Sequence, residues 1–247
     1  MLRQCAGART LLAFDFDGTL APIVSRPGAV RMRDSTRAIL SAVADRVPCA
    51  VISGRSLRDL GRRVRGVHTV GLVGNHGLEC DWDGRPSREL SAQMRDCRRS
   101  LRASLGLVRG MVIEDKRFSV AIHFRQADDR RKAQRLIRDA LSTITGIRTV
   151  PGNCVFDVLP ADSGTKATAL LRLMGILRTE VCLYIGDDVT DEDVFRLRHT
   201  NPVLAIRVGK SCGSQAAYFI HSQREIDRVL RMLLALQQPH GGREEEH

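Results

Sequence analysis

Over its first third the chain alternates short apolar runs with apolar positions at helical spacing. Leu11 to Phe14 reads as a strand, Ala38, Leu40 and Val43 as one face of a helix, Cys49 to Ile52 as a second strand and Val70 to Val73 as a third. Ser56, with Asp59 three residues on, predicts a capping box that opens a helix directly after the second strand. The alternation returns after residue 160. It runs through a helix over GTKATALLRLMGI, a strand in VCLYIGDD, a helix opened by Thr190 and Asp193, the short strand VLAI, and a last helix through Ile226, Val229, Leu230 and Leu233. Strands alternating with helices make βαβ units, so residues 1–83 and 161–247 are expected to form one doubly wound, Rossmann-like parallel-sheet α/β core. The polar tail from Pro239 to His247 is expected to be disordered.

Between these parts the order changes to helix, two strands, helix, two strands, which predicts an inserted α+β cap domain over residues 84–160. Its helices show in Leu90, Met94, Cys97 and Leu101, and again in Ala133, Leu136, Ile137, Ala140, Leu141 and Ile144. The period of two in a strand separates its faces. In RFSVAIHFR, Phe118, Val120, Ile122 and Phe124 share one face, and Ser119, Ala121, His123 and Arg125 the other. Glu114 and Lys116 share a face in VIEDK, and Asp157 stands opposite Cys154, Phe156 and Val158 in NCVFDVL. Two helices cover only the apolar face, which leaves Glu114, Lys116, His123, Arg125 and Asp157 on a polar one.

A chain of 247 residues with 43% hydrophobic content can bury a sizeable core. No segment approaches the ~20 apolar residues of a membrane span, so no membrane partner and a cytoplasmic location are expected. The seven cysteines are odd in number and never form a CxxC pair, which argues against a disulfide framework or a cysteine zinc site. A net charge of +11 raises the question of nucleic acid. The excess is arginine in short scattered pairs such as Arg62-Arg63, Arg98-Arg99 and Arg130-Arg131, and with 4% aromatic residues there is little to stack on bases, so no nucleic-acid partner is expected. Neither a GxxxxGK[ST] loop nor a GxGxxG turn is present, which disfavours nucleotide and dinucleotide enzymes.

Chemistry first appears in Asp15-Phe16-Asp17-Gly18-Thr19, at the carboxyl end of the first strand, where open α/β sheets bind ligands. Two carboxylates two residues apart can divide the work on a phosphate ester. Asp15 would attack phosphorus, and Asp17 would protonate the leaving alcohol and then activate water. Gly18 permits a sharp turn, and Thr19 can donate a hydrogen bond to the loop or the phosphate. Asp187, in GDDVTDED at the end of another strand, is placed to hold Mg²⁺ with Asp15 and the Asp17 carbonyl. Lys166 in the first turn of its helix could pair with Asp15 and phosphate, and Ser53 could bond a phosphate oxygen beside the Gly54 amide. Glu192 and Asp193 read equally well as first-turn acids favoured by the helix dipole.

The order of Asp-x-Asp, Ser, Lys and Gly-Asp-Asp resembles the haloacid dehalogenase (HAD) superfamily, and the insertion corresponds to its larger type of cap. More narrowly, DFDGTL, Ser53-Gly54-Arg55, Gly74-Asn75-His76-Gly77, Glu114-Asp115-Lys116 with Ser119, His123 and Arg125, and GDDVTDEDVF are similar to trehalose-6-phosphate phosphatases. That resemblance implies hydrolysis of a sugar phosphate with Mg²⁺. It puts Asn75 and His76 at the mouth of the site, adds Gly54 and Arg55 to the substrate contacts, and gives the sugar hydroxyls to Glu114, Lys116 and Asp157. Asp188 and Asp191 would stand behind the ligands and orient them. The chain departs from the family pattern in carrying Asp157, Leu159-Pro160 and Lys166-Ala167 where Glu, Arg-Pro and Lys-Gly are usual. Sucrose-6-phosphate or a mannosyl phosphoester is therefore an alternative substrate. A silent sugar-phosphate sensor would need binding alone, which the retention of both Asp15 and Asp17 argues against. His68, His199 and His221 match nothing and read as ordinary residues.

Overall fold

The computed structural model describes residues 9–24 and 27–237, with the backbone alone at Pro27. The expected disordered tail and Cys5 lie outside the described residues. The chain runs through β1 (Thr10–Phe14), α1 (Asp34–Ala44), β2 (Cys49–Ile52), α2 (Leu57–Arg63), β3 (Gly71–Gly74) and β4 (Glu79–Cys80). It continues with α3 (Arg88–Leu105), β5 (Val112–Asp115), β6 (Val120–His123), α4 (Arg130–Ser142), β7 (Ile147–Gly152) and β8 (Val155–Pro160). It closes with α5 (Lys166–Leu177), β9 (Val181–Gly186), α6 (Glu192–Arg196), β10 (Val203–Val208), β11 (Tyr218–Ile220) and α7 (Ile226–Leu236).

Seven strands make the first sheet, in the order β11-β10-β9-β1-β2-β3-β4. All neighbours are parallel except β3 and β4. Both faces are covered, and the strands accordingly read as unbroken apolar runs. Leu12, Phe14, Leu183 and Ile185 pack with α1, α2 and α7, while Leu11, Ala13, Cys182 and Tyr184 pack with α5 and α6. The strand order reverses at β1, which lies between β2 and β9, so a crevice opens at the carboxyl end of β1.

The second sheet is antiparallel, in the order β5-β6-β8-β7. Met94, Cys97 and Leu101 of α3 and Ala133, Ile137 and Leu141 of α4 close over Val120, Ile122, Phe124, Phe156 and Val158. Register places Ala121 opposite both Glu114 and Asp157, and His123 opposite Val112 and Val155. The face predicted to be polar is therefore continuous across three strands.

Local starts and edges differ from the sequence reading in three places. Ser56 does accept the Asp59 amide, but the Asp59 carboxylate turns to Arg55 and Arg63, so only half of the capping box forms. The helix expected to open at Thr190 and Asp193 begins instead with a tight turn over Val189–Asp191 that leads into α6. The strands β4 and β11 were not predicted, because two or three residues carry no period.

One buried staple ties α7 to the start of α1. Asp227 in α7 accepts hydrogen bonds from Thr36 Oγ1 (2.5 Å) and Ser35 Oγ (2.9 Å) in the first turn of α1, and from Arg33 Nη2 (3.1 Å). Asp227→Ala strands these donors at the α1–α7 contact and is expected to cost about 3 kcal/mol. In a chain of this size that is a fall in Tm of roughly 6–12 °C. A melting temperature within about 2 °C of wild type would show that the staple contributes little.

Candidate active site

Asp15 follows β1 directly, and its amide bonds the Ile185 carbonyl of β9 (2.8 Å). The chain then reverses, with the Gly18 amide donating to the Ala21 carbonyl (2.7 Å) and Gly18 at φ +84°. A Cβ at Gly18 would lie 2.1 Å from Asp187 Oδ2, so turn and close approach both demand glycine. Lys166, the first residue of α5, donates from Nζ to Asp15 Oδ1 (2.7 Å) and Asp191 Oδ1 (2.8 Å). Asp191 also accepts from the Tyr184 hydroxyl (2.7 Å) and from the amides of Asp187 (3.0 Å) and Asp188 (2.9 Å). Its carboxylate thus fixes the turn carrying Asp187 and the ammonium facing Asp15.

These groups sit in a dry place, with Asp15 4%, Lys166 3% and Asp191 0% exposed. Burial alone would discharge Lys166, but Asp15 and Asp191 outweigh it and hold the ammonium charged. Burial pushes the Asp187 carboxyl up to about 7, with Asp191 and Asp188 adding to the rise. Asp15 is driven up by burial, lowered by Lys166, and raised again by Asp191, Asp187 and Asp17. Oxygens of Asp15, Asp187 and Asp191 lie within 4.8 Å of one another, yet among the described residues a single ammonium bonds to them. An all-oxygen acidic cluster short of positive charge fits a hard divalent cation such as Mg²⁺. Asp191 accepts four hydrogen bonds, whereas Asp15 accepts one from Lys166 and Asp187 one from Thr19.

Asp17 is gripped by Arg55, whose Nε and Nη2 donate to Asp17 Oδ2 (2.6 Å) and Oδ1 (2.5 Å). Nη1 of the same guanidinium donates to Asp59 Oδ2 (2.8 Å). Arg55, expected to contact substrate, also borders the cavity, and its planar fork matches the Asp17 carboxylate two bonds at a time. Ser53 directly follows β2, is buried, and accepts the Arg55 amide at Oγ (3.3 Å).

A cavity of about 650 Å³ opens over these residues. Asp15, Asp17, Ser53, Gly54, Lys166, Asp187 and Asp188 border it from the first sheet, and Glu114, Lys116, His123, Arg125 and Asp157 from the second. The polar face read from the period of two in the second sheet thus borders the cavity. Three expected contacts stand behind the wall instead. Gly18 and Thr19 are turned inward, Thr19 Oγ1 donating to Asp187 Oδ1 (3.3 Å). Asn75, expected at the mouth, is fully buried, donating to Glu79 Oε2 (2.5 Å) and accepting from Ser119 Oγ (2.6 Å), while His76 does border the cavity. Glu192 accepts from Arg207 Nη1 and the Gln215 amide (both 2.8 Å), whereas Asp193 pairs with Arg196 at the surface.

Tyr184, Asp59 and Arg207 escaped the sequence reading. Two left a signal: Tyr184 is a polar tip in the apolar run VCLYIG, and Arg207 a charge within VLAIRV. Asp59 left none beyond its place in a cap.

Residues 13–224 match the family model described as trehalose-phosphatase. The trehalose-phosphate phosphatase of Mycolicibacterium paratuberculosis aligns over 246 residues at 32% identity, covering 95% of this chain and 60% of that protein. The chain therefore spans 60% of the length of that curated relative. The C-terminal domain of the C. albicans trehalose-6-phosphate phosphatase superposes with a TM-score of 0.80 at 22% identity, covering 95% of both chains. A phosphatase of the haloalkanoate (HAD) enzyme superfamily from Bacteroides thetaiotaomicron gives 0.59 at 16% identity, over 92% of this chain and 96% of that one. These two likenesses concern the fold. The family match covers the strand ends that carry Asp15, Ser53 and Asp187, the helix start that carries Lys166 and the whole second sheet, and on it the chain belongs to the trehalose-phosphatase family.

Proposed function

We propose that the protein is a Mg²⁺-dependent phosphatase that hydrolyses trehalose 6-phosphate to trehalose and phosphate through an aspartyl phosphate on Asp15. The observation that carries this reading is the buried Lys166 ammonium bonded to Asp15, beside Asp187 and under a cavity whose far wall is a polar sheet face. Residues 84–160 act as the cap that supplies that wall. Lys166 and Ser53 hold the phosphate against Asp15, whose oxygen displaces the sugar alcohol from phosphorus. Asp17, aimed by Arg55, gives its proton to the leaving oxygen and then takes one from the water that cleaves the acyl phosphate. Asp15, Asp187 and the Asp17 carbonyl would hold Mg²⁺, which when bound supplies positive charge at the phosphate oxygens.

No helix among the described residues is long and apolar enough to cross a membrane. We infer a cytoplasmic enzyme whose partner is the sugar phosphate, with neither nucleic acid nor membrane required. Burial pushes the Cys49 and Cys80 thiols up to about 12, so they pack as small hydrophobes. Asp157, in place of the usual Glu, keeps a related disaccharide phosphate in view. Free phosphate released with Mg²⁺ from trehalose 6-phosphate, sucrose 6-phosphate and a mannosyl phosphoester tests the reading. Trehalose 6-phosphate is expected to give the highest kcat/KM, and no release above background from any of them would overturn it.

Glu114 tests the far wall. His123 donates to its carboxylate (2.8 Å) and, with Lys116, holds the group below its usual range against burial. A lost hydrogen bond to a charged group is worth about 1.5 to 3 kcal/mol. Glu114→Ala is therefore expected to cut the ratio of kcat/KM for the disaccharide phosphate to that for a small aryl phosphate by roughly ten- to a hundredfold. An unchanged ratio would make Glu114 a solvated strand position.

A further inference from the structure

Each oxygen of Asp157 has one hydrogen-bond partner. Oδ1 accepts from Lys116 Nζ at 2.6 Å, and Oδ2 lies 3.1 Å from His76 Nε2. The same ammonium donates to the Gly54 carbonyl at 2.7 Å. Asp157 lies in β8 and Lys116 directly after β5 of the second sheet, whereas His76 and Gly54 sit on the turns that follow β3 and β2 of the first. Further bonds cross the same boundary, from Ser119 Oγ to Asn75 Oδ1 (2.6 Å) and from Asn75 Nδ2 to the Lys116 carbonyl (3.4 Å).

The supporting loop is built at some cost. Asn75 and His76 both adopt left-handed backbone, at φ 47° and 57°, which side-chain-bearing residues seldom keep unless their surroundings enforce it. A Cβ at Gly54 would stand 2.5 Å from the His76 ring, so the ring is seated on that glycine. Burial lowers the His76 pKa, which keeps the ring neutral with Nε2–H available to Asp157. Burial would raise the Asp157 pKa, but Lys116 and His76 outweigh it and hold the carboxyl well below its usual range. Two of the carboxylate's four acceptor positions are engaged, by a charged donor and a ring N–H, and at 6% exposure it presents little surface to a sugar hydroxyl.

We infer that Asp157 is a positioning residue and not a sugar ligand: with Lys116 and His76 it ties the polar face of the second sheet to the Ser53–Arg55 loop. The inference rests on the phosphatase reading and narrows it. Gly54 lies between Ser53, which faces the phosphate, and Arg55, which aims Asp17, so the tie acts on the phosphate end of the site. Sugar contacts then fall to Glu114, His123 and Arg125 on the outer part of the wall. The departure from the usual Glu gains a reason, since the shorter acid sits back on His76 and Lys116.

The test compares wild type, Asp157→Ala, His76→Leu and the double variant on a small aryl phosphate and on trehalose 6-phosphate, with Asp157→Asn and His76→Gln as milder forms should the first pair fail to fold. Displacing a reacting group by about 1 Å can cost up to a hundredfold, so each single change should lower kcat on both substrates by roughly ten- to a hundredfold with little change in KM for the aryl phosphate. The double variant should be no more than about threefold worse than either single, as for two members of one unit. His76→Gln, which keeps an N–H donor, should recover most of the loss. Amide exchange of the peptide carrying Ser53 to Arg55 should quicken in Asp157→Ala, a readout independent of turnover. A rise in KM for trehalose 6-phosphate alone, with wild-type aryl kinetics and unchanged exchange, would make Asp157 a sugar ligand and overturn the inference. If wild type turns over neither substrate, the phosphatase reading fails, and the exchange measurement still decides the tie.

Discussion

Asp15→Asn is expected to lower kcat by roughly 10⁴-fold or more while the protein stays folded. Asparagine keeps the size of the side chain and an oxygen for the Lys166 ammonium, but its amide is not a nucleophile. Lys166 also retains Asp191, so no buried charge is orphaned. Removing one of three crowded carboxylates relieves repulsion among Asp15, Asp187 and Asp191, so the melting temperature should hold or rise. Steady-state kinetics beside a thermal melt separates the cases. A folded variant within tenfold of wild type would refute Asp15 as the nucleophile.

Removal of the divalent cation is the second large effect. With Asp15 and Asp187 facing a dianionic phosphate and one ammonium, the site without added positive charge repels its substrate. A chelator should abolish turnover, by roughly 10³-fold at least, and Mg²⁺ should restore it. Binding has its own readout. At about a hundred times Kd, Mg²⁺ should add roughly 2.7 kcal/mol of stability, and Asp187→Asn should remove most of that gain. Activity that survives excess chelator, or that returns with Zn²⁺ alone, would contradict the oxygen-ligand assignment of Asp187.

The parts of this molecule that were readable in advance are those where a period or a fixed spacing leaves one solution. β1, β2, β9 and β10 are buried on both faces, so their apolar runs stand out, and Asp15, Ser53 and Asp187 follow from being next in line at their carboxyl ends. The polar wall followed from the alternation in β5, β6 and β8, which a slip of one residue would have turned inside out. What stayed hidden are the partnerships between distant segments. That Arg55 grips Asp17, and that His76 and Lys116 hold Asp157, depends on how three loops approach one another, and no local pattern records it. Thr19 and Asn75 were recognised as special, yet their side chains turn inward, because a motif fixes which residues a tight turn needs and not which of them meets the ligand.

The central claim is that Asp15 itself carries the phosphoryl group, and one trapping measurement addresses it directly. Asp17→Asn lacks the group that activates water, whereas an aryl phosphate has a leaving group good enough to need no proton. Incubated with that substrate and Mg²⁺ and quenched in acid, this variant should yield a peptide containing Asp15 that has gained one phosphoryl group, and the Asp15→Asn variant should yield none. A phosphoryl group found on another residue, or aryl phosphate consumed by wild type with no trapped adduct in Asp17→Asn, would contradict the account.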